Sequence, residues 1–390
     1  MKLLFVSQRF GAEVFGGAEA FCRQFALRLA ARGHQVDVLT SAAVSYVDWA
    51  DHYPPGESRD GAVTVHRLRV HRPRDNAVFG PFRERALSRR WMAPYLQWEW
   101  MRQQGPWLDG MEEWLGDRSM EYDVSIFITY LYWTAARGMG AARSPVVLHP
   151  TAHDEPPAYL PLFDEVFRMP DAFGFLTDEE SDFVRRRYRV RRPSVVTGIG
   201  IEEPLPGDRA EFRRRFGLGD RPYIACVGRT DPGKGSAELF NFFLEYKRRN
   251  KGDLALVYIG EEVYKLPENP DVVKTGFVDE ATRQAGVEGA LVLVQPSFFE
   301  SFSLVLVEAF AVGVPALVQG HSEVLSGQAR RSRGAIPFTG FAEFESGLQM
   351  LIEDPRLRAS MGAAGRRYVD EHYRWDQVLD TYERFLQMVA

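Results

Sequence analysis

Ala290-Leu291-Val292-Leu293-Val294-Gln295-Pro296-Ser297-Phe298-Phe299-Glu300-Ser301-Phe302-Ser303-Leu304-Val305-Leu306-Val307-Glu308-Ala309-Phe310 is the stretch that decides the fold. Its first five residues form an unbroken apolar run, the pattern of a buried strand, and the run stops at Pro296, which has no N–H for a sheet ladder. Residues 304–312 read as a helix pressed against a sheet. A buried strand that passes into a covering helix is the repeating unit of an open α/β sheet, and such sheets bind ligands beyond the carboxyl ends of their strands. Glu300 falls at that crossing. Glu308 lies about two turns further on, in an otherwise apolar element, where a carboxylate is costly unless it accepts hydrogen bonds. The paired hydroxyls of a ribose suit Glu308, and Glu300 is placed for the hydroxyls of a sugar.

Working outward, the same alternation fills the chain. Strands are expected at 3–7, 36–40, 63–68, 124–128, 146–148 and 172–176. Gly16-Gly17-Ala18-Glu19 opens a helix that runs to about Ala31 and ends at Gly33. Residues 73–120 read as helical and rich in tryptophan. Composition shifts at Pro193–Ile201, followed by Pro204 and Pro206, and a second strand set follows at 223–227, 254–259, 272–275, 291–294 and 316–318. Strands alternating with helices imply parallel βαβ units. The expected fold class is α/β, with two doubly wound Rossmann-like domains facing a cleft. The boundaries fall at 1–200 and 201–373, with an amphipathic C-terminal helix over 374–390.

Bulk properties narrow the function. At 390 residues the chain exceeds one ordinary domain. Its net charge of −5 does not advertise nucleic-acid binding. Two cysteines make no disulfide framework, and a reducing cytoplasm fits. No Cys/His cluster has metal-site spacing. The first residues are too short an apolar run for a signal peptide, and no run reaches the length of a membrane span.

A second anchor follows the 223–227 strand, in Gly228-Arg229-Thr230-Asp231-Pro232-Gly233-Lys234-Gly235. Glycines let backbone amides approach an anion, and the helix from about Ser236 aims its positive end there. Arg229 can grip phosphate oxygens in a bidentate way and Lys234 adds a compact charge. Two cations suit a diphosphate whose charge grows as its bond to a sugar breaks. The spacing is not that of a P-loop.

Gly228-Arg229 and Lys234-Gly235, then some seventy residues later Glu300-x7-Glu308 and Gly313-Val314-Pro315, resemble the GT4 family of retaining glycosyltransferases with the GT-B fold. The likeness covers nearly the whole chain: Gly16-Gly17-Ala18-Glu19 matches the family's N-terminal glycine loop, Gly33-His34-Gln35-Val36 its helix-to-strand turn, and the Trp375 helix the one that crosses back to the first domain. The resemblance implies that Arg229 and Lys234 bind the donor diphosphate, Glu300 contacts the transferred sugar, and Glu308 binds the ribose. It implies that the amides of Phe302, Ser303 and Leu304 approach the phosphates, that Phe277 lies by the nucleobase, and that Gly16 and Gly17 lie near the sugar phosphate and acceptor. Catalytic roles fall to Glu300, His153, Arg229 and Lys234. No cofactor and no metal are expected. The donor is a UDP- or GDP-linked hexose and the acceptor a hydroxyl on a glycan, glycolipid or small natural product. Two departures stand out: the family often has glycine at Ser303, and its glycine pair after Gly-x-Pro is replaced by Gln319-Gly320-His321-Ser322-Glu323.

Each assignment has a structural alternative. Glu308 could pair with an arginine, Glu300 could neighbour a helix cap, Arg229 and Lys234 could form a solvated loop, Gly16 and Gly17 a tight turn, and His153 a satisfied structural histidine. His34 reads as structural. In residues 83–115, Arg83, Arg85, Arg89 and Arg90 precede Trp91, Trp98, Trp100, Trp107 and Trp114. Three readings stand for this segment: a helix packed on the core, since Trp91, Trp98, Trp107 and Trp114 repeat by roughly two helical turns, an aromatic acceptor cleft, and weak docking on the inner face of a membrane. Rival functions are a GT-B epimerase or phosphorylase and a non-catalytic scaffold. Oligomeric state is open.

Overall fold

The computed structural model describes residues 1–88, 92–204 and 207–390; Arg89, Arg90, Trp91 and Pro206 lie outside them. The chain divides into two compact units, one of Met1–Gly198 with Leu379–Ala390 and one of Ile199–Val378.

The first unit is built on eight strands: β1 (Lys2–Val6), β2 (Gln35–Ser41), β3 (Gly56–Asp60), β4 (Val63–Leu68), β5 (Val124–Ile128), β6 (Val146–His149), β7 (Ala172–Phe175) and β8 (Ser194–Val196). Their order in the sheet is β3-β4-β2-β1-β5-β6-β7-β8. All pairs are parallel except β3 with β4. The central strands are almost wholly buried because helices cover both faces, which is why they read as continuous apolar runs. Strand β3, Gly-Glu-Ser-Arg-Asp, was not expected: it is an exposed, charged edge strand and carries no apolar signal.

The second unit has β9 (Tyr223–Val227), β10 (Ala255–Ile259), β11 (Val272–Lys274), β12 (Val292–Gln295), β13 (Ala316–Gln319) and β14 (Ala335–Phe338) in the order β11-β10-β9-β12-β13-β14, all parallel. The chain winds outward from β9 to β10 and β11, then returns to the other side of β9 with β12. The β9/β12 junction is therefore the topological switch point, where the strand ends open a crevice for a ligand. β14 also escaped the sequence reading, since Pro337 interrupts it; an edge position tolerates that proline.

The tryptophan-rich segment corrects an expectation. Its two-turn spacing does not belong to one helix. Trp98 lies on the helix Pro94–Gln104, Trp107 in the turn beyond it, and Trp114 on the helix Met111–Arg118. Pro94 starts one helix and Gly105, at φ +72°, ends it. Trp100 is fully buried in the core, and Trp98, Trp107 and Trp114 are partly buried and pack on its margin. No described helix is long and apolar enough to cross a membrane.

The C-terminal helix Trp375–Val389 begins in the second unit and ends in the first. In the first unit Tyr382 donates to or accepts from His149 Nε2 at 2.8 Å and meets Phe25 edge-on at 5.1 Å, while His34 Nε2 lies 2.9 Å from Glu383 Oε1. His34 is thus structural. Gly174 makes room for His149, since a Cβ there would fall 2.0 Å from the imidazole.

The helix Leu304–Ala311, which carries Glu308, is held from behind by the helix Pro355–His372. Their contact depends on Gly362 and Gly365. A Cβ on Gly362 would sit 2.0 Å from the Gly313 carbonyl oxygen, and one on Gly365 2.7 Å from the Phe310 ring. Because the first obstacle is backbone, the helices must separate to admit a methyl group. Gly362→Ala is expected to destabilise the second unit by about 1–3 kcal/mol, read as a lower urea midpoint; an unchanged midpoint would show that the contact has slack.

Candidate active site

At the switch point, two loops are brought into contact by one glycine. Gly235 ends the loop after β9 at φ +72°, and a Cβ there would lie 2.2 Å from the Pro296 carbonyl oxygen of the loop after β12. The loop itself is folded by Asp231, whose carboxylate accepts from the Gly233 amide at 2.8 Å, and by Ser236 Oγ, which accepts from the Asp231 amide at 3.2 Å. The outcome is that Lys234 Nζ donates to Glu300 Oε1 at 2.8 Å. The Glu300 side chain is only 11% exposed, whereas Lys234 keeps 44% of its surface in solvent. Arg229, at the start of the loop, is half-exposed with its Nε 3.4 Å from Asp231 Oδ2.

Glu300 is steadied from beneath by Gln295, the last residue of β12. The Gln295 amide nitrogen lies 3.3 Å from Glu300 Oε1 and 3.0 Å from Ser303 Oγ. Ser303 caps the helix Leu304–Ala311 at φ +69°, in the left-handed region that glycine enters freely. That geometry explains why the related family often carries glycine at this position: the backbone asks for it, and the serine here compensates through its hydroxyl. Phe302 is buried, edge-on to Tyr373 at 5.1 Å, with its carbonyl accepting from Gln328 Nε2 at 2.8 Å. Only its backbone can serve a ligand. Leu304 is the first residue of the helix, whose N-terminal amides form an anion-attracting end.

Glu308 is paired with Arg283, Oε2 at 2.6 Å from Nη1 and Oε1 at 3.1 Å from Nη2. Arg283 stands on the helix Glu280–Glu288, capped by Asp279, and also binds Glu280. Burial pulls the Arg283 guanidinium down, but Glu308 and Glu280 hold it above its ordinary value. The arginine partner weighed as the alternative for Glu308 is thus present, yet the pair is partly open to solvent, 31% for Glu308 and 21% for Arg283. Nothing in the sequence pointed to Arg283. Phe277, after β11, is 64% exposed, and the isolated bridge between Gly260 and Gly276 ties its loop to the one after β10.

In the first unit, Gly16 and Gly17 follow β1. A Cβ on Gly16 would lie 2.2 Å from Glu19 Oε2, whereas one on Gly17 meets nothing within 4 Å. Glu19 is buried, accepting at Oε1 from Arg9 Nε at 3.0 Å and Nη2 at 2.5 Å and from Gln8 at 2.9 Å. Arg9 spends further donors on the Phe15 and Val44 carbonyls, so one buried ion pair shapes the glycine loop. His153 follows β6, a quarter exposed, with Nδ1 3.6 Å from Glu155 Oε1. Tyr130 donates to the same Oε1 at 3.1 Å. The turn is held by Glu180, buried, which accepts from the Ala152 and Leu176 amides at 2.7 Å each. Thr129 and Thr151 take φ +66° and +49° beside it, a strain that marks a constrained site. Arg9, Tyr130, Glu155 and Glu180 were missed from sequence, because each acts on a partner in another loop.

Burial pushes Glu155 up to about 7 against the pull of Tyr130 and Arg83, and Glu180 up to about 8 against three backbone amides. Burial holds His149 down to about 3, so it is neutral.

Comparison with known proteins fits this arrangement. The family description "Glycosyl transferases group 1" matches residues 208–368, and "Glycosyl transferase 4-like domain" matches 16–200. Among solved structures, sucrose-phosphate synthase from Thermosynechococcus elongatus superposes with a TM-score of 0.75 at 17% identity, over 100% of this chain and 99% of that one. Anabaena Alr3699/HepE in complex with UDP and glucose gives 0.70 at 15% identity, over the whole of both chains. The two parallel-sheet units thus have the GT-B fold, and the chain belongs to the GT4-type group 1 glycosyltransferases. A GDP-mannose-dependent alpha-(1-6)-phosphatidylinositol monomannoside mannosyltransferase of Mycobacterium tuberculosis is 29% identical over 47% of this chain, so the match spans about half, 52%, of that relative's length. A D-inositol 3-phosphate glycosyltransferase of Rhodococcus jostii is 26% identical over 94% of this chain and 83% of its own.

Two predictions follow from the local geometry. Ser303→Gly relieves about 1 kcal/mol of left-handed strain and loses a hydrogen bond worth about 1 kcal/mol, so its urea midpoint should stay close to wild type. Ser303→Val, branched at Cβ and unable to bond Gln295, should lower it clearly; equal midpoints for all three proteins would refute the account. Glu155 and Glu180 hold protons in the fold above their ordinary 4.5. Their contribution to stability is full below that value and is lost as pH rises through about 7 and 8. Melting temperature should fall between pH 5 and pH 8, and Glu155→Gln should flatten the part of that fall centred below pH 7.

Proposed function

We propose that the protein is a retaining glycosyltransferase that moves a hexose from a UDP- or GDP-linked donor to a hydroxyl acceptor, with no bound metal. The observation that carries this reading is the Lys234–Glu300 contact of 2.8 Å at the β9/β12 switch point. There a cation and a carboxylate converge where one can meet a leaving diphosphate and the other the sugar it leaves.

In this reading, Arg229 and Lys234 take up the negative charge that grows on the diphosphate as the glycosidic bond breaks, the work a divalent cation does elsewhere. The amides of Phe302, Ser303 and Leu304 add dipoles to the same phosphates. Glu300 accepts from a sugar hydroxyl, oriented by Gln295. Glu308 accepts from the ribose hydroxyls with Arg283 satisfying its remaining lone pairs. Phe277 borders the base. The open space at Gly17 admits a sugar phosphate or acceptor, and His153, whose Nδ1 faces Glu155 at 3.6 Å, donates from its other nitrogen to the transferred group. The sequence pattern marks no second carboxylate as a nucleophile, which favours front-side displacement with the leaving phosphate taking the acceptor proton. The relatives support the class: one is named for GDP-mannose and phosphatidylinositol monomannoside, another for inositol 3-phosphate, and HepE was crystallised with UDP and glucose. We place the reaction in the cytoplasm, where the two buried free thiols would stay reduced. Any membrane contact through 83–115 would be weak and peripheral.

The test is acceptor-dependent release of nucleotide from UDP- and GDP-hexoses. Arg229→Ala and Lys234→Ala should each cut kcat by about 10²–10³-fold. Glu308→Gln should chiefly weaken the rise in melting temperature caused by free UDP or GDP. Wild-type turnover in both cation variants would end the reading.

A further inference from the structure

A cavity of about 220 Å³ lies in the first unit, walled by Trp49, Arg72, Arg74, Glu99, Arg102 and Trp107. It is smaller than the pockets that hold drug-sized ligands, and suits a single ring or headgroup. Trp49 follows β2, and Arg72 and Arg74 follow β4, so the cavity opens at the carboxyl edge of the sheet. That is the edge where Gly16 follows β1 and His153 follows β6, and β4, β2 and β1 are neighbours. The loops are joined: Arg9 holds the Val44 carbonyl at 2.6 Å, and Arg74 holds that of Tyr46 at 2.9 Å.

The charge in this cavity is unbalanced. Arg74 gives its donors to backbone carbonyls, of Tyr46 and also of Gln103 at 3.1 Å and Gln104, and among the described residues no carboxylate pairs with it. Burial pulls its guanidinium down to about 10, with Asp48 opposing only from beyond ion-pair distance. Arg72, exposed at the rim, makes no hydrogen bond or ion pair among the described residues. Arg102 and Glu99 neutralise one another, and His71 is matched by Asp109 at 2.6 Å. Against Arg72 and Arg74 the cavity lining sets only Asp75, whose carboxylate already accepts from the Ala77 amide at 3.0 Å. Trp49 is buried at φ +58°, a strained backbone for a large residue, fixed by its indole N–H on the Gln104 carbonyl at 2.8 Å. Trp107 offers an aromatic wall, flanked by His71 at 4.0 Å.

We propose that this cavity binds an anionic acceptor: a phosphate or carboxylate held by Arg72 in the field of Arg74, with its hydroxyl-bearing ring against Trp107. The inference rests on the reading of the first unit as the acceptor half of a glycosyltransferase. The same chemistry is offered by a free sugar or cyclitol phosphate and by a lipid headgroup.

Calorimetric titration of the whole chain with inorganic phosphate, and sedimentation with vesicles containing phosphatidylinositol, test it. With UDP or GDP held at saturation on the Lys234 site, Arg72→Ala should weaken one or both at least tenfold, Arg72→Lys should recover part of the loss, and Arg356→Ala, at an exposed arginine outside both sites, should change neither by more than twofold. Loss of phosphate binding assigns a soluble acceptor, and loss of vesicle binding alone assigns a lipid. Arg72→Ala binding both probes like wild type, or Arg356→Ala losing as much phosphate binding as Arg72→Ala, overturns the proposal. The UDP- or GDP-induced rise in melting temperature, measured on Arg72→Ala, separates the two readings: it survives a failure of the cavity assignment and is absent if the donor reading itself is wrong.

Discussion

The second unit depends on the approach of two backbones, Gly235 against the carbonyl of Pro296. Both loops leave the carboxyl ends of adjacent strands, β9 and β12. Because no side chain intervenes at Gly235, the loops touch, and Lys234 is delivered to Glu300. Any other residue there would meet a carbonyl oxygen rather than a movable side chain, and φ +72° would add strain. A packing constraint with no charge in it therefore sets the distance of the one ion pair on which the chemistry is argued.

The site is also held in tension by polar groups that cannot all be satisfied cheaply. Gln295 divides its amide between Glu300 and Ser303, and Glu308 occupies Arg283 while keeping a third of its surface open. A partly exposed ion pair contributes little to stability, which leaves Glu308 free to change partners at small cost. Arg283 in that picture is a placeholder and an orienter, holding the carboxylate in the direction a ribose would approach.

The first unit achieves rigidity differently, by burying charge. The Arg9–Glu19 pair shapes the glycine loop, and Glu180 gathers the amides of two neighbouring turns around His153. Such groups are costly if a partner is removed, so the loops beyond β1 and β6 have few alternatives. Rigid loops of defined shape on an otherwise apolar sheet are what selective binding of a small hydroxylated molecule requires.

The central strands of both sheets, the helix starts at Gly17 and Ser236, and the placement of Lys234 and Glu300 beyond the ends of two strands were legible in the sequence. Each rests on local information: continuous apolar runs, turn residues, and short spacings. The polar edge strand β3 and the proline-bearing β14 were not, because an edge needs no apolar signal. The tryptophan spacing misled for a related reason: a period is local, but Pro94 and Gly105 divide it among separate elements. Chain order alone determined which residues stand at strand ends. Only the tertiary structure decided that Arg283 would reach Glu308, that Glu180 would hold the His153 turn, and that Arg74 would lie half-buried on backbone carbonyls, with no carboxylate pairing with it among the described residues. Those are pairings across long sequence separations, and their energies depend on burial, which no local pattern encodes.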